Sequence, residues 1–94
     1  MEQLKELLES PSVSIIDVRN PMEFATESID GAVNIPLPEI MNHIDTIKQM
    51  SKPIVVHCLS GGRSATAVSI LKQVGLDEVY NGGGIATMKS MKNG

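Results

Sequence analysis

The sequence predicts an α/β domain built on a small, mainly parallel sheet, and three observations carry that prediction. Short aliphatic and β-branched runs alternate with stretches of helical period along the whole chain, the pattern of strand–helix–strand units. One of these runs, Ile54-Val55-Val56, is continuously apolar, as expected of a strand covered on both faces. The core must also be aliphatic: 41% of residues are hydrophobic, yet there is one Phe, one Tyr and no Trp, which suits β-branched parallel strands packed under helices. Ninety-four residues make one domain, residues 1–94. A chain of this size buries roughly 60–70% of the surface its unfolded form exposes, so the core is real but modest.

The elements run in order from the N-terminus. Glu2 to Glu9 reads as a short helix with Leu4, Leu7 and Leu8 on one face, ended by Ser10-Pro11 because the residue before proline avoids helical geometry. Val13 to Val18 is a strand. Asn20-Pro21 opens a second helix, with Asn at the N-cap and Pro at the first helical position; it fades near Ser28. Asp30-Gly31 is a turn and Ala32 to Ile35 a short strand, closed by Pro36-Leu37-Pro38. Glu39 to Met50 reads as one amphipathic helix, since Ile40, Ile44, Ile47 and Met50 recur at helical spacing. After the strand at Ile54, Arg63 to Val74 is a helix capped by Gly75, with Val68, Leu71 and Val74, or alternatively Ala67, Ile70 and Leu71, facing inward. Glu78-Val79-Tyr80 is a last strand, Asn81 to Gly84 a flexible turn, and Ile85 to Met91 a final helix.

The totals exclude several classes. Net charge is −3, and the eight basic residues form no run, which argues against a nucleic-acid or membrane-surface partner. No stretch approaches the roughly 20 apolar residues that span a bilayer. The amphipathic, charged N-terminus lacks the apolar centre of a signal peptide, so a cytoplasmic protein is expected. The single cysteine rules out an internal disulfide and a resolving thiol within the chain. With two His and one Cys, no metal centre of Cys and His ligands is expected.

That cysteine stands where the chemistry concentrates. Cys58 ends the apolar strand, a turn with two glycines comes next, and Arg63 opens a helix. Sites in open parallel sheets form beyond the C-terminal ends of the strands. Glycines let turn amides converge on an anion, the helix N-terminus adds partial positive charge, and Arg63 adds a full one in a fork suited to oxyanions. All of these favour thiolate over thiol. They bring such cysteines from about 8.5 to roughly 3.5–7.5, so Cys58 reads as a nucleophile, and its turn as a cradle for a negative group bonded to it. A small buried hydrophobe is the plainer reading of a lone cysteine at a strand end.

Cys58-Leu59-Ser60-Gly61-Gly62-Arg63-Ser64 resembles the active-site loop of the rhodanese (sulfurtransferase) family: a cysteine, four loop residues, an arginine and a small hydroxyl residue. Ile15-Ile16-Asp17-Val18-Arg19, Glu23-Phe24, Ile29 to Pro36 and Val79-Tyr80-Asn81-Gly82-Gly83 are similar to the family's other signatures, so the resemblance covers about residues 13–88. It implies a three-layer α/β/α sandwich around a small, mainly parallel five-stranded sheet. It also implies a thiosulfate sulfurtransferase in which Cys58 is catalytic and carries sulfane sulfur as a persulfide. Leu59, Ser60, Gly61, Gly62, Arg63 and Ser64 are then the substrate-binding residues, without cofactor or metal. The implied partners are a small sulfur donor and a thiol or cyanide acceptor, or a protein acceptor, with the chain a monomer or weak dimer. Two departures stand out. Glu27-Ser28 replaces a frequent Gly-His pair, and Ile85 and Met88 come after the glycines where a tryptophan is frequent; both positions read as packing or turn features.

Two rival readings compete with this one. Cysteine phosphatases and arsenate reductases of similar fold have five residues between cysteine and arginine, whereas this chain has four and no aspartate in the loop. A sulfur-carrier or redox-regulatory binding module with the same fold is the alternative that keeps the cysteine. Elsewhere the plainer readings are expected. Asp17, Arg19 and Glu23 anchor local structure, His57 points to the opposite face of its strand from Cys58, His43 lies on a helix surface, and the methionines fill gaps. Ser60 and Ser64 either donate to a bound oxyanion or cap the helix.

Overall fold

The computed structural model of the protein describes residues 2–93. The elements run α1 (Glu2–Glu9), β1 (Ser14–Asp17), α2 (Pro21–Thr26), β2 (Val33–Asn34), a 3-10 helix (Leu37–His43), α3 (Ile44–Lys48), β3 (Ile54–Cys58), α4 (Gly62–Gln73), β4 (Val79–Gly84) and α5 (Ile85–Asn93). The strands form one sheet in the order β2-β1-β3-β4, and every neighbouring pair is parallel. Helices cover both faces, so the α/β class and parallel sheet expected from the sequence are present. The expected fifth strand is a correction: the sheet has four among the described residues. The chain before β1 is α1 and a turn, and the chain after β4 is α5, so neither end of the described residues supplies an extended segment to pair.

Strand period two sorts the core into two halves. Ile16, Val18, Ile54, Val56 and Cys58 face Ile40, Ile47, Ala67 and Leu71, under the 3-10 helix, α3 and α4. Ile15 and Val55 face Leu4, Leu8, Ile85 and Met88, under α1 and α5. All five residues of β3 are buried, the outcome expected of a continuous apolar run at the centre of a covered sheet. No helix among the described residues is long and apolar enough to cross a membrane.

Two local expectations are corrected. The single helix over Glu39 to Met50 is instead a 3-10 helix followed by α3. The break is at His43, at φ −120° and ψ 18°, whose ring Nδ1 lies 3.0 Å from the Glu39 carbonyl oxygen; Ile40 and Ile47 remain fully buried on either side of it. The segment Asn81 to Gly84 is strand, not flexible turn, because Asn81, Gly83 and Gly84 pair with Val56, His57 and Cys58. Gly82 is skipped in that register, which makes a bulge beside the nucleophile.

Helix α4 ends as expected at Gly75, where φ is +104°. Gly75 N–H donates to the Lys72 carbonyl and Leu76 N–H to the Leu71 carbonyl, both at 3.1 Å, a paired closure that satisfies the last carbonyls. Its buried face is Ser64, Ala67 and Leu71. This is nearer the second of the two faces the sequence allows, and it turns Ser64 toward the sheet end.

Candidate active site

β3 carries Cys58 to the C-terminal edge of the sheet, where it is 1% exposed. The chain then reverses through Leu59, Ser60 and Gly61 into α4. Gly61 is the N-cap of α4 at φ 105°, a left-handed conformation that a side chain disfavours. In that conformation its N–H donates to Cys58 Sγ at 3.0 Å. The Ser64 hydroxyl lies 3.5 Å from the same sulfur. Behind the loop, Gly84 of β4 lies so close that a Cβ there would sit 2.4 Å from the Leu59 carbonyl oxygen. The glycine-bearing end of β4 thus lets the loop seat against the sheet.

Burial alone would push the Cys58 thiol up. The Ser64 hydroxyl and the N–H groups of Ser64, Gly61 and Ser60 outweigh it and bring the thiol down to about 7. A group in this state is substantially thiolate at neutral pH, which is the reactive form.

Arg63 has a carboxylate partner that the sequence does not reveal. Its Nη1 donates to Glu23 Oε1 at 2.8 Å and its Nη2 to Glu23 Oε2 at 3.1 Å, so the fork is occupied by a carboxylate of α2. Glu23 is itself held by local sequence. Asn20 and Glu23 form a reciprocal capping box, with Glu23 N–H donating to Asn20 Oδ1 and Asn20 N–H to Glu23 Oε1. Arg63 first, and the Asn20 N–H second, hold the Glu23 carboxyl down at about 2, and Glu23 raises Arg63. The pair ties α2 to the start of α4.

Of the loop residues singled out in the sequence, the structure brings Ser60, Gly61 and Ser64 onto the sulfur through amides or hydroxyl. Gly62 begins α4, Arg63 lies on Glu23, and Leu59 is 56% exposed. Leu59 and Met22, the latter 81% exposed, are the two apolar residues lining an open groove of about 330 Å³ that is otherwise lined by Arg19, Asn20, Glu23, Thr26 and Glu27.

The residues read as structural anchors hold that role. Arg19 Nη2 donates to Asp17 Oδ2 at 2.7 Å and to the Glu27 carbonyl at 2.6 Å. The Asn34 amide donates to the Asp17 and Arg19 carbonyls, which fastens β2 and β1. His57 is fully buried with its Nε2 3.7 Å from Asp17 Oδ2. Burial pushes its pKa down, against the pull of the Cys58 carbonyl and Asp17, so it stays neutral. The two departures from the family pattern are also structural. Glu27 pairs with Lys89 of α5, and Met88 is fully buried in the core half beneath α5.

One residue at the site was hidden in the sequence. Asn81, which reads there as part of a turn, bonds with its side chain to Ser64 and Gly61. The partnership of Glu23 with Arg63 was also hidden, since the capping pattern Asn-x-x-Glu is local and visible while a partner forty residues away is not.

Comparison with known proteins identifies the family. Residues 1–89 match the model of the rhodanese-like domain. The chain is 38% identical over 71 residues to thiosulfate sulfurtransferase PspE of Escherichia coli, covering 74% of this chain and 68% of that one. It is 36% identical over 81 residues to thiosulfate sulfurtransferase GlpE of Shewanella oneidensis, covering 86% and 79%. The solved structure of a rhodanese with anions from E. coli superposes with a TM-score of 0.74 at 36% identity, over 80% of this chain and 89% of that one. With a family match across nearly its whole length and a cysteine cradled by the loop that the family pattern describes, the chain belongs to the rhodanese-like sulfurtransferase family.

Proposed function

We propose that this protein is a thiosulfate sulfurtransferase that carries sulfane sulfur as a persulfide on Cys58. The observation that carries the reading is the sulfur's environment: a buried thiol lowered to about 7 with the Gly61 N–H 3.0 Å away. The Cys58 thiolate attacks the outer sulfur of thiosulfate. A new S–S bond forms, the old one breaks, and sulfite leaves with the electron pair. The persulfide is held by the amides of Ser60, Gly61 and Ser64, with Arg63 at the mouth. Cyanide or a thiol then attacks the terminal sulfur, and Cys58 leaves as the thiolate that began the cycle. Splitting the transfer in two is covalent catalysis. Because the lowered thiol already supplies the anion, no general base is required, and neutral His57 faces away. A cytoplasmic setting fits this chemistry, since a reducing compartment keeps a lone thiol free.

The rim formed by Leu59 and Met22 favours a second reading of the acceptor. A protein thiol docked there would make the domain a sulfur carrier to a partner. Steady-state thiocyanate formation from thiosulfate and cyanide tests the primary reading. The protein is expected to produce it and Cys58→Ser to lose it. Activity only with a protein acceptor would favour the carrier, and undiminished activity in Cys58→Ser would remove Cys58 as the nucleophile.

A further inference from the structure

The Ser64 hydroxyl is surrounded by more acceptors than it can serve. It lies 2.7 Å from Asn81 Oδ1, 3.1 Å from the Gly61 carbonyl oxygen and 3.5 Å from Cys58 Sγ, yet a serine has one proton to donate. The shortest contact is with Asn81. That amide is oriented by its surroundings: the Gly83 N–H donates to Oδ1 at 2.8 Å, and Nδ2 donates to the Gly61 carbonyl at 3.3 Å. The oxygen therefore faces Ser64 and the nitrogen faces the loop. Regular pairing with Val56 places Asn81 on the strand beside β3, on the same face as Val79, which packs with Ala67 and Leu71 of α4.

We infer that Asn81 is a positioning residue that controls the proton affinity of Cys58 by holding the hydroxyl proton of Ser64. The inference rests on the reading of Cys58 as the sulfur-carrying nucleophile. When the sulfur is protonated, S–H donates to a Ser64 lone pair while the hydroxyl proton stays on Asn81. When the sulfur is a thiolate, lone pair faces lone pair unless the hydroxyl turns to the sulfur. That turn leaves Asn81 Oδ1 with only the Gly83 N–H. Asn81 and the thiolate thus compete for one proton, and Asn81 restrains ionisation. A persulfide relieves the competition. Its inner sulfur is divalent and uncharged, the negative charge moves to the terminal sulfur among the loop amides, and the hydroxyl returns to Asn81.

The charged groups near the sulfur are those of other elements and are already engaged. Arg63 of α4 is bound to Glu23 of α2, and Asp17 of β1 is bound to Arg19, with neutral His57 of β3 beside it. In the 3-10 helix that packs on the same core half, Glu39 is exposed and His43 turns back to the Glu39 carbonyl. β4 carries no charged side chain. Replacing Asn81 leaves all of them in place.

The test is the pH dependence of Cys58 alkylation by iodoacetamide. This reaction needs no sulfur donor, so its result is independent of whether thiosulfate is the substrate. Asn81→Ala frees the hydroxyl for the thiolate and is expected to move the midpoint down by about half to one pH unit, or roughly three- to tenfold faster alkylation well below the midpoint. In a Ser64→Ala background the same substitution is expected to have no effect. Asn81→Asp keeps the acceptor oxygen and adds negative charge, so it moves the midpoint up. Asn81 is exposed, so these variants are expected to fold, which their thermal unfolding checks. An unchanged or raised midpoint in Asn81→Ala, an equal shift without Ser64, or a lowered midpoint in Asn81→Asp would each overturn the inference.

Discussion

The Arg63 guanidinium lies on the Glu23 carboxylate through two hydrogen bonds of 2.8 and 3.1 Å. The cation at the mouth of the nucleophile loop therefore already has a carboxylate partner. On the proposed function, an anionic donor shares Arg63 with Glu23 and relies on the loop amides for the rest of its hold. Removing the carboxylate charge should favour a dianion. Glu23→Gln keeps the side-chain oxygen for the capping box and is expected to lower the KM for thiosulfate about fivefold, on the order of 1 kcal/mol for a part-exposed pair. Steady-state kinetics at fixed cyanide measure this. A raised KM would show instead that Glu23 serves to aim the arginine.

Arg63→Ala removes the guanidinium at the mouth of the loop. A charge-assisted contact is worth about 1.5–3 kcal/mol, so kcat/KM for thiosulfate is expected to fall roughly ten- to a hundredfold, while transfer from a thiol persulfide, which gives up its terminal sulfur with a thiolate leaving and carries no sulfonate group, falls less. Kinetics indistinguishable from the parent protein would show that the amides hold the donor alone.

The titration of Cys58 gives a pH profile. Its folded-state pKa is lowered, so the thiolate grows as pH rises through about 7. Alkylation is expected to fall about tenfold per pH unit below that midpoint and to level off above it. Ser64→Ala, which removes the hydroxyl that favours the anion, moves the midpoint upward. A midpoint near the ordinary cysteine value in the parent protein would contradict the account of the loop.

Gly84→Ala places a Cβ against the Leu59 carbonyl, which is backbone and cannot swing aside. The expected cost is about 1–3 kcal/mol, read as a Tm lowered by several degrees with transfer impaired, because the displaced segment leads from Cys58 into the loop. A Cβ at Gly62 meets nothing within 4 Å. Gly62→Ala should therefore leave Tm within about a degree or raise it, since alanine suits a helix better than glycine.

Much of this fold was legible because local chemistry and tertiary structure agree. The apolar run at Ile54 became the buried central strand, Asn20-Pro21 capped α2, and Gly75 closed α4. The cradle around Cys58 was legible for the same reason, since strand, glycines and helix start lie in one short segment. The relations that escaped join distant segments. Asn81 to Gly84 looked like loose turn because glycines carry no strand signal; the parallel pairing with β3 overrides their propensity. The break at His43 depends on a side-chain contact with the Glu39 carbonyl that apolar spacing does not report. The fifth strand expected from the resemblance had no counterpart in the segment before β1, which is helix and turn. Asn81 touches Ser64 only after β3 and β4 pair, and Glu23 meets Arg63 only after α2 is brought beside the start of α4.

On the proposed function, Cys58 takes and holds a sulfur atom. Intact-mass spectrometry of the protein after incubation with thiosulfate and removal of excess reagent tests it most directly. The protein is expected to gain one sulfur atom, located on Cys58, absent from Cys58→Ser and discharged by cyanide as thiocyanate. A folded protein that gains no sulfur from thiosulfate or from a persulfide donor, and releases no thiocyanate, would contradict it.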